Sequence, residues 1–158
     1  QSVQTQEPNW IALPQAEGMS LGKISSSSKS VNGTNGTTWP WNTSYSGSNG
    51  RITINTVLVV ESNSFSGTVT IKQSHDDAYC VTTFTPSMVF DKPLIFTITY
   101  TGIDLAAINP ADVKFAYIAA DGSVQYAVND GIVVDLATGK LGVINARIPH
   151  FSRYGFVN

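Results

Sequence analysis

The chain has 158 residues, 42% of them apolar and only 13% charged, with a formal net charge of −2. That length is about one domain with room for a real core, and a charged fraction well below the roughly 25% usual in soluble domains leaves Ser, Thr, Asn and Gly to supply the polarity. The charge balance gives no electrostatic footprint for nucleic acid or an anionic membrane, and no apolar run is long enough to span a bilayer or insert in one. A neutral, hydroxyl-rich surface suits an extracellular or cell-surface protein. The start at Gln1 in place of Met adds the expectation of a mature end left by signal-peptide cleavage.

Residues 1–24 read as an extended arm or as a first strand. Pro8 and Pro14 bracket Trp10, Ile11 and Leu13, so the segment is extended and apolar at its middle. From 25 to 50 the chain runs SSSSKSVNGTNGTTWPWNTSYSGSNG, with Lys29 as its one charge. So little apolar side chain predicts a loop, and Trp39, Trp41 and Tyr45 predict that the loop folds onto the body of the domain. Asn32, Asn35 and Asn42 each begin an Asn-x-Ser/Thr triplet, of the kind that chance supplies in such a composition.

From Arg51 to residue 158 the period becomes two. RITINTVLVV places Ile52, Ile54, Leu58 and Val60 on one face, with Thr53 and Asn55 opposite. SGTVTIKQ, AYCVTTFT, LIFTITYT, DVKFAYIAA, SVQYAVN, IVVDL, LGVINARI and HFSRYGFV follow as runs of β-branched and aromatic residues. Asp121-Gly122, Asn129-Asp130-Gly131 and the ATGK stretch separate them as turns. Only DLAAINPADV resembles helix, for a single turn capped by Asn109 with Pro110 at its first position. The reading is all-β, an antiparallel β-sandwich of immunoglobulin-like type with minimal helix. Phe96, Ile98, Phe115, Tyr117, Val133 and Val143 are its expected core. Cys80 is the one cysteine, expected as a buried strand residue, with an intermolecular bridge as the alternative.

The candidate chemistry is sparse. His75-Asp76-Asp77 groups three possible ligands, yet the alternating acids of a calcium loop and the His and Cys of a zinc site are absent. Asp91, Asp112, Asp121, Asp130 and Asp135 read as turn residues, so neither metal nor cofactor is expected. There is no phosphate loop, no nucleophile elbow and no informative carboxylate pair, which argues against an enzyme acting on an external substrate. Trp39 and Trp41, stiffened by Pro40, with Tyr45 nearby, offer a platform on which a glycan would stack; the competing reading has at least one ring covering the end of the sandwich.

The closing stretch LGVINARIPHFSRYGF, with TGIDLAAINPADVKFAYI and DGIVVDLATGKLGV before it, resembles the end of a ZU-five domain, the β-sandwich module of netrin receptors, ankyrins and death-domain adaptors. Bacterial secreted and surface proteins carry a similar ending. In some members His-Phe-Ser is where the chain cuts itself. The resemblance therefore implies, as one alternative, attack of the Ser152 hydroxyl on the Phe151 carbonyl with His150 assisting proton transfer, and cleavage between Phe151 and Ser152. In a regular strand His150 and Ser152 would be roughly 6.5–7 Å apart at Cα, so this chemistry needs a kinked backbone. The competing reading is a plain closing strand with Phe151 in the core and His150 and Tyr154 on the other face.

The sequence thus predicts a secreted structural or interaction module whose partners are other copies of itself or other surface proteins. Trp10, Ile11 and Leu13 are its candidate assembly anchors, through addition of the arm as a strand to a neighbouring subunit of a filament or layer. The self-cleaving module and the glycan-binding module are the two rivals.

Overall fold

A computed structural model describes residues 8–14, 25–47, 50–119 and 121–158. Among the described residues eleven strands carry the fold: β1 (Ser25–Asn32), β2 (Thr37–Gly47), β3 (Gly50–Val60), β4 (Thr68–His75), β5 (Val81–Thr85), β6 (Val89–Thr101), β7 (Lys114–Ile118), β8 (Val124–Tyr126), β9 (Gly131–Asp135), β10 (Lys140–His150) and β11 (Arg153–Val157). One sheet has the order β1-β4-β5-β11-β7-β8 and the other β2-β3-β6-β10-β9. The pairings within each are antiparallel, and the two sheets pack as the expected sandwich. The helix-like stretch is one 3-10 turn, Pro110–Asp112, with the Asn109 side chain accepting from Ala111 N–H as its cap.

Within residues 25–50, expected as a loop, Ser25–Asn32 and Thr37–Gly47 form β1 and β2 instead. β1 runs alongside β4 from Ser25↔His75 to Asn32↔Thr68, and β2 alongside β3 from Thr37↔Val60 to Gly47↔Gly50. The hydroxyl-rich composition hides the alternation. In β2 the larger side chains Trp39, Trp41 and Tyr45 point inward while Thr38, Pro40, Asn42 and Ser44 face out. In β1 only Val31 is buried, so that strand is held by its ladder far more than by apolar contact.

The core is aromatic at its centre. Phe84 stacks on Phe151 at 5.3 Å and meets Phe96 edge-on at 5.0 Å, with Phe115, Tyr154 and Phe156 adjoining. Ile52, Ile54, Leu58 and Val60 line the inner face of β3 as their spacing predicts, and Phe96, Ile98, Phe115 and Val143 are buried. Tyr117 packs at the margin. Val133 is not a core residue: its neighbours Ile132 and Val134 pack inward from β9. Three apolar residues in a row give no alternation from which to choose a face, and a slip of one residue exchanges the two.

β10 changes phase partway. Leu141 and Val143 point inward, as do Ala146 and Ile148, because a bulge between Val143 and Ala146 lets one extra residue through. Asn145 takes a positive φ of 51° there; its N–H donates to the Thr97 hydroxyl, and its side chain and Arg147 hold Asp130. In the turn before β10, Gly139 has φ 67° with the Ile103 carbonyl 2.5 Å from where a Cβ would stand, so only glycine fits.

Candidate functional site

The sequence singles out four places: the His150-Phe151-Ser152 stretch, the aromatic residues of β2, the N-terminal arm and His75-Asp76-Asp77. His150, Phe151 and Ser152 form a corner, not part of one closing strand. β10 ends at His150 in one sheet and β11 begins at Arg153 in the other. Phe151 turns into the core between Phe84 and Phe90, and its N–H donates to the Met88 carbonyl at 2.9 Å. Ser152 Oγ donates to the Ile118 carbonyl at 2.7 Å, and the Ser152 carbonyl accepts from Phe84 N–H at 3.1 Å. His150 sets its ring edge-on to Tyr117 at 5.2 Å, and its Nδ1 lies 3.4 Å from the Phe151 carbonyl oxygen. Tyr154 is buried, contrary to its expected outward placement; its hydroxyl donates to the His150 carbonyl at 2.7 Å, and burial raises its pKa well above the usual tyrosine value. In this arrangement the Ser152 proton goes to a backbone oxygen and the His150 ring meets the carbonyl in place of the hydroxyl. The corner is bonded as a structural join.

The aromatic residues of β2 lie on its inner face, Trp39 buried and Trp41 and Tyr45 half-buried, so Trp39 is not part of an exposed platform. Trp39 is buried, and Trp41 lies flat on His75 of β4, ring centroids 4.4 Å apart and 3° from parallel. Tyr45 donates its hydroxyl to the Pro14 carbonyl at 2.6 Å, and burial, with Cys80 nearby, pushes its pKa up to about 12.

The third place is the arm. Trp10 bridges to Val157 and Ala12 to Tyr79, so the arm sits between the ends of β5 and β11 of its own chain. Ile11 N–H donates to the Phe156 carbonyl, Cys80 N–H to the Ile11 carbonyl and Leu13 N–H to the Ala78 carbonyl, each at 2.8 Å. Ile11 and Leu13 enter the main core. Trp10 covers the outer face of the six-stranded sheet against Val81, Ala116 and Val157, with the Arg153 guanidinium 5.9 Å from its ring centroid. Gly155 makes room beneath it, since a Cβ there would stand 3.0 Å from the indole and 2.6 Å from the Cys80 carbonyl. The rest of the expected arm, residues 1–7 and 15–24, lies outside the described residues.

His75, Asp76 and Asp77 diverge. His75 points into the core, while Asp76 accepts from the N–H groups of Ala78 and Tyr79, both at 2.9 Å. Among the described residues no group of three His, Cys, Asp or Glu side chains is placed to hold a metal ion. Sequence reasoning misses what His75 does do. It joins a buried polar group with Gln73, Thr82 and Tyr100, its Nδ1 2.9 Å from the Thr82 hydroxyl, which also hydrogen-bonds Tyr100. The signal was parity: in TVTIKQSH, Gln73 and His75 stand on the same face as Ile71. Cys80 is fully buried with a free thiol whose pKa burial raises well above the usual value. No protein-family model, no curated protein and no solved structure matches this chain.

Proposed function

We propose that this protein is a secreted or cell-surface β-sandwich of the ZU-five-like, bacterial kind, acting as a structural and interaction module that joins copies of itself by lending its N-terminal arm as a strand. The observation that supports this is the seat of the arm. A short extended segment, bonded on both sides between β5 and β11, carries its own anchors at Trp10, Ile11 and Leu13. Ten residues, 15–24, separate it in sequence from β1. Every contact of the arm that holds it in its own sandwich is available in the same form on a second copy, which is the condition for strand exchange. Donor and seat are different surfaces, so the contact is head-to-tail and continues into a filament or layer unless a ring closes. A surface with few charges offers little repulsion to such packing.

Light scattering of the full chain in a concentration series reaching the millimolar range tests this, run beside Trp10→Ala/Ile11→Ala/Leu13→Ala. Assembly of the native chain that the triple variant loses is the expected result. A native chain that stays monomeric throughout, or a triple variant that assembles equally well, overturns the reading.

A further inference from the structure

The buried polar group on β4 is left incomplete by the described residues. Gln73 is 0% exposed and His75 1%, yet both amide atoms of Gln73 and Nε2 of His75 have no hydrogen-bond partner among the described residues. The two residues stand two apart on one face of a strand, so their Cα atoms are about 6.5–7 Å apart. The imidazole is fixed from two sides: Trp41 stacks flat against it, and Nδ1 meets the Thr82 hydroxyl. Ser25 and Ser27 of β1 are the cross-strand neighbours of His75 and Gln73, and Ser25 Oγ reaches across to Thr43 of β2 at 3.3 Å. This seam between the two sheets is therefore lined with hydroxyl, amide and imidazole groups.

We infer that an ordered water molecule is bound between the unpartnered atoms of Gln73 and His75, and that it links the Tyr100–Thr82–His75 chain of hydrogen bonds to the Gln73 amide. The chemistry selects the occupant. A direct His75–Gln73 bond would satisfy one end of the amide and leave the other bare in the core, where an unpaired amide is strongly disfavoured. Buried waters typically make about three hydrogen bonds, matching the three orphaned atoms. With Thr82 donating to Nδ1, the proton sits on Nε2; water then accepts from Nε2–H and donates to Gln73 Oε1. With the other tautomer the direction reverses, and the same water still serves. Burial holds the His75 pKa down to about 4, so the ring is neutral at neutral pH and has one donor and one acceptor nitrogen to offer.

Two measurements on the full-length chain test the site. In isotope-labelled native protein, cross-relaxation peaks at the water frequency should reach the Gln73 amide protons or the His75 ring proton. The near-isosteric Gln73→Met should change the His75 ring nitrogen shifts and lower the melting temperature by about 2–6 °C, because it removes one side of the water's cage. Absence of any such water peak in the native protein overturns the inference. So does a Gln73→Met variant that melts higher than native with unchanged His75 signals, the behaviour of an amide that was simply unpaired.

Discussion

Replacing Trp10 by alanine measures how firmly the arm is held. Burying Trp10, Ile11 and Leu13 contributes about 7 kcal/mol. The hydrogen bonds made by Ile11 N–H, Leu13 N–H and the Ile11 carbonyl add about 3 kcal/mol. Ordering the seven residues 8–14 costs about 10 kcal/mol. The arm is thus close to balanced between docked and free. A buried tryptophan truncated in a core that stays assembled costs about 3–5 kcal/mol. Here the arm releases first and the loss cannot exceed its docking free energy, so the loss of global stability in urea should stay below about 1 kcal/mol. Native-state hydrogen exchange locates the effect. The amides of Ile11, Leu13 and Cys80 should exchange by local opening in the native protein, faster than those of β6 and β10, and faster again in Trp10→Ala. If these three amides exchange only with global unfolding, or the variant loses 4 kcal/mol or more, the arm is an integral strand and exchange between copies has no low-cost route.

His75 is neutral when buried, with its pKa at about 4, while the unfolded chain protonates near 6.5. As pH falls the unfolded state takes up the proton first; stability is full above about 6.5, declines at about 1.4 kcal/mol per pH unit, and levels off near 4 after a loss of roughly 3 kcal/mol. Urea midpoints across this range should lose that share of the acid dependence in His75→Phe, and an unchanged profile would remove His75 as its source. Gly155→Ala should cost about 1–3 kcal/mol and release the arm amides, because a methyl there meets the Cys80 carbonyl, which cannot give way; a variant as stable as native would contradict the close approach. Cys80 should react with a thiol reagent only at the rate of unfolding, and rapid native labelling would argue against its packing. Ser152→Ala should cost about 1 kcal/mol through loss of the bond to the Ile118 carbonyl, with both chains intact by mass after long incubation; a native fragment beginning at Ser152 would favour the self-cleaving alternative.

The sandwich was legible because β3, β6 and most of β10 alternate cleanly, and apolar residues such as Ile52, Ile54, Phe96 and Ile98 need no context to be placed inside. β1 was not legible: five serines and a lysine carry no alternating apolar signal, and its strand state comes from β4 offering a partner ladder. The Asn145 bulge was equally hidden, since an extra residue reverses the parity on which inward positions are assigned. At the candidate sites sequence supplied the residue types and left the direction of the tryptophans open between an exposed platform and a ring covering the sandwich. Trp39 and Trp41 were visible as an aromatic pair, but the fold turns them inward, one into the core and one onto His75. The pairing of His75 with Thr82 depends on the register of β4 with β5, which neither strand encodes alone.

The corner at Phe151 has a mechanical meaning. β10 and β11 belong to opposite sheets and are joined by two residues, one of them a ring lodged between Phe84 and Phe90. Apolar attraction between two sheets is non-directional and by itself fixes no register of one against the other. Here sliding must drag Phe151 through its aromatic socket and break the bonds of Ser152 to β5 and β7 together. The corner therefore acts as a shear pin, turning a sideways load on either sheet into simultaneous strain on both.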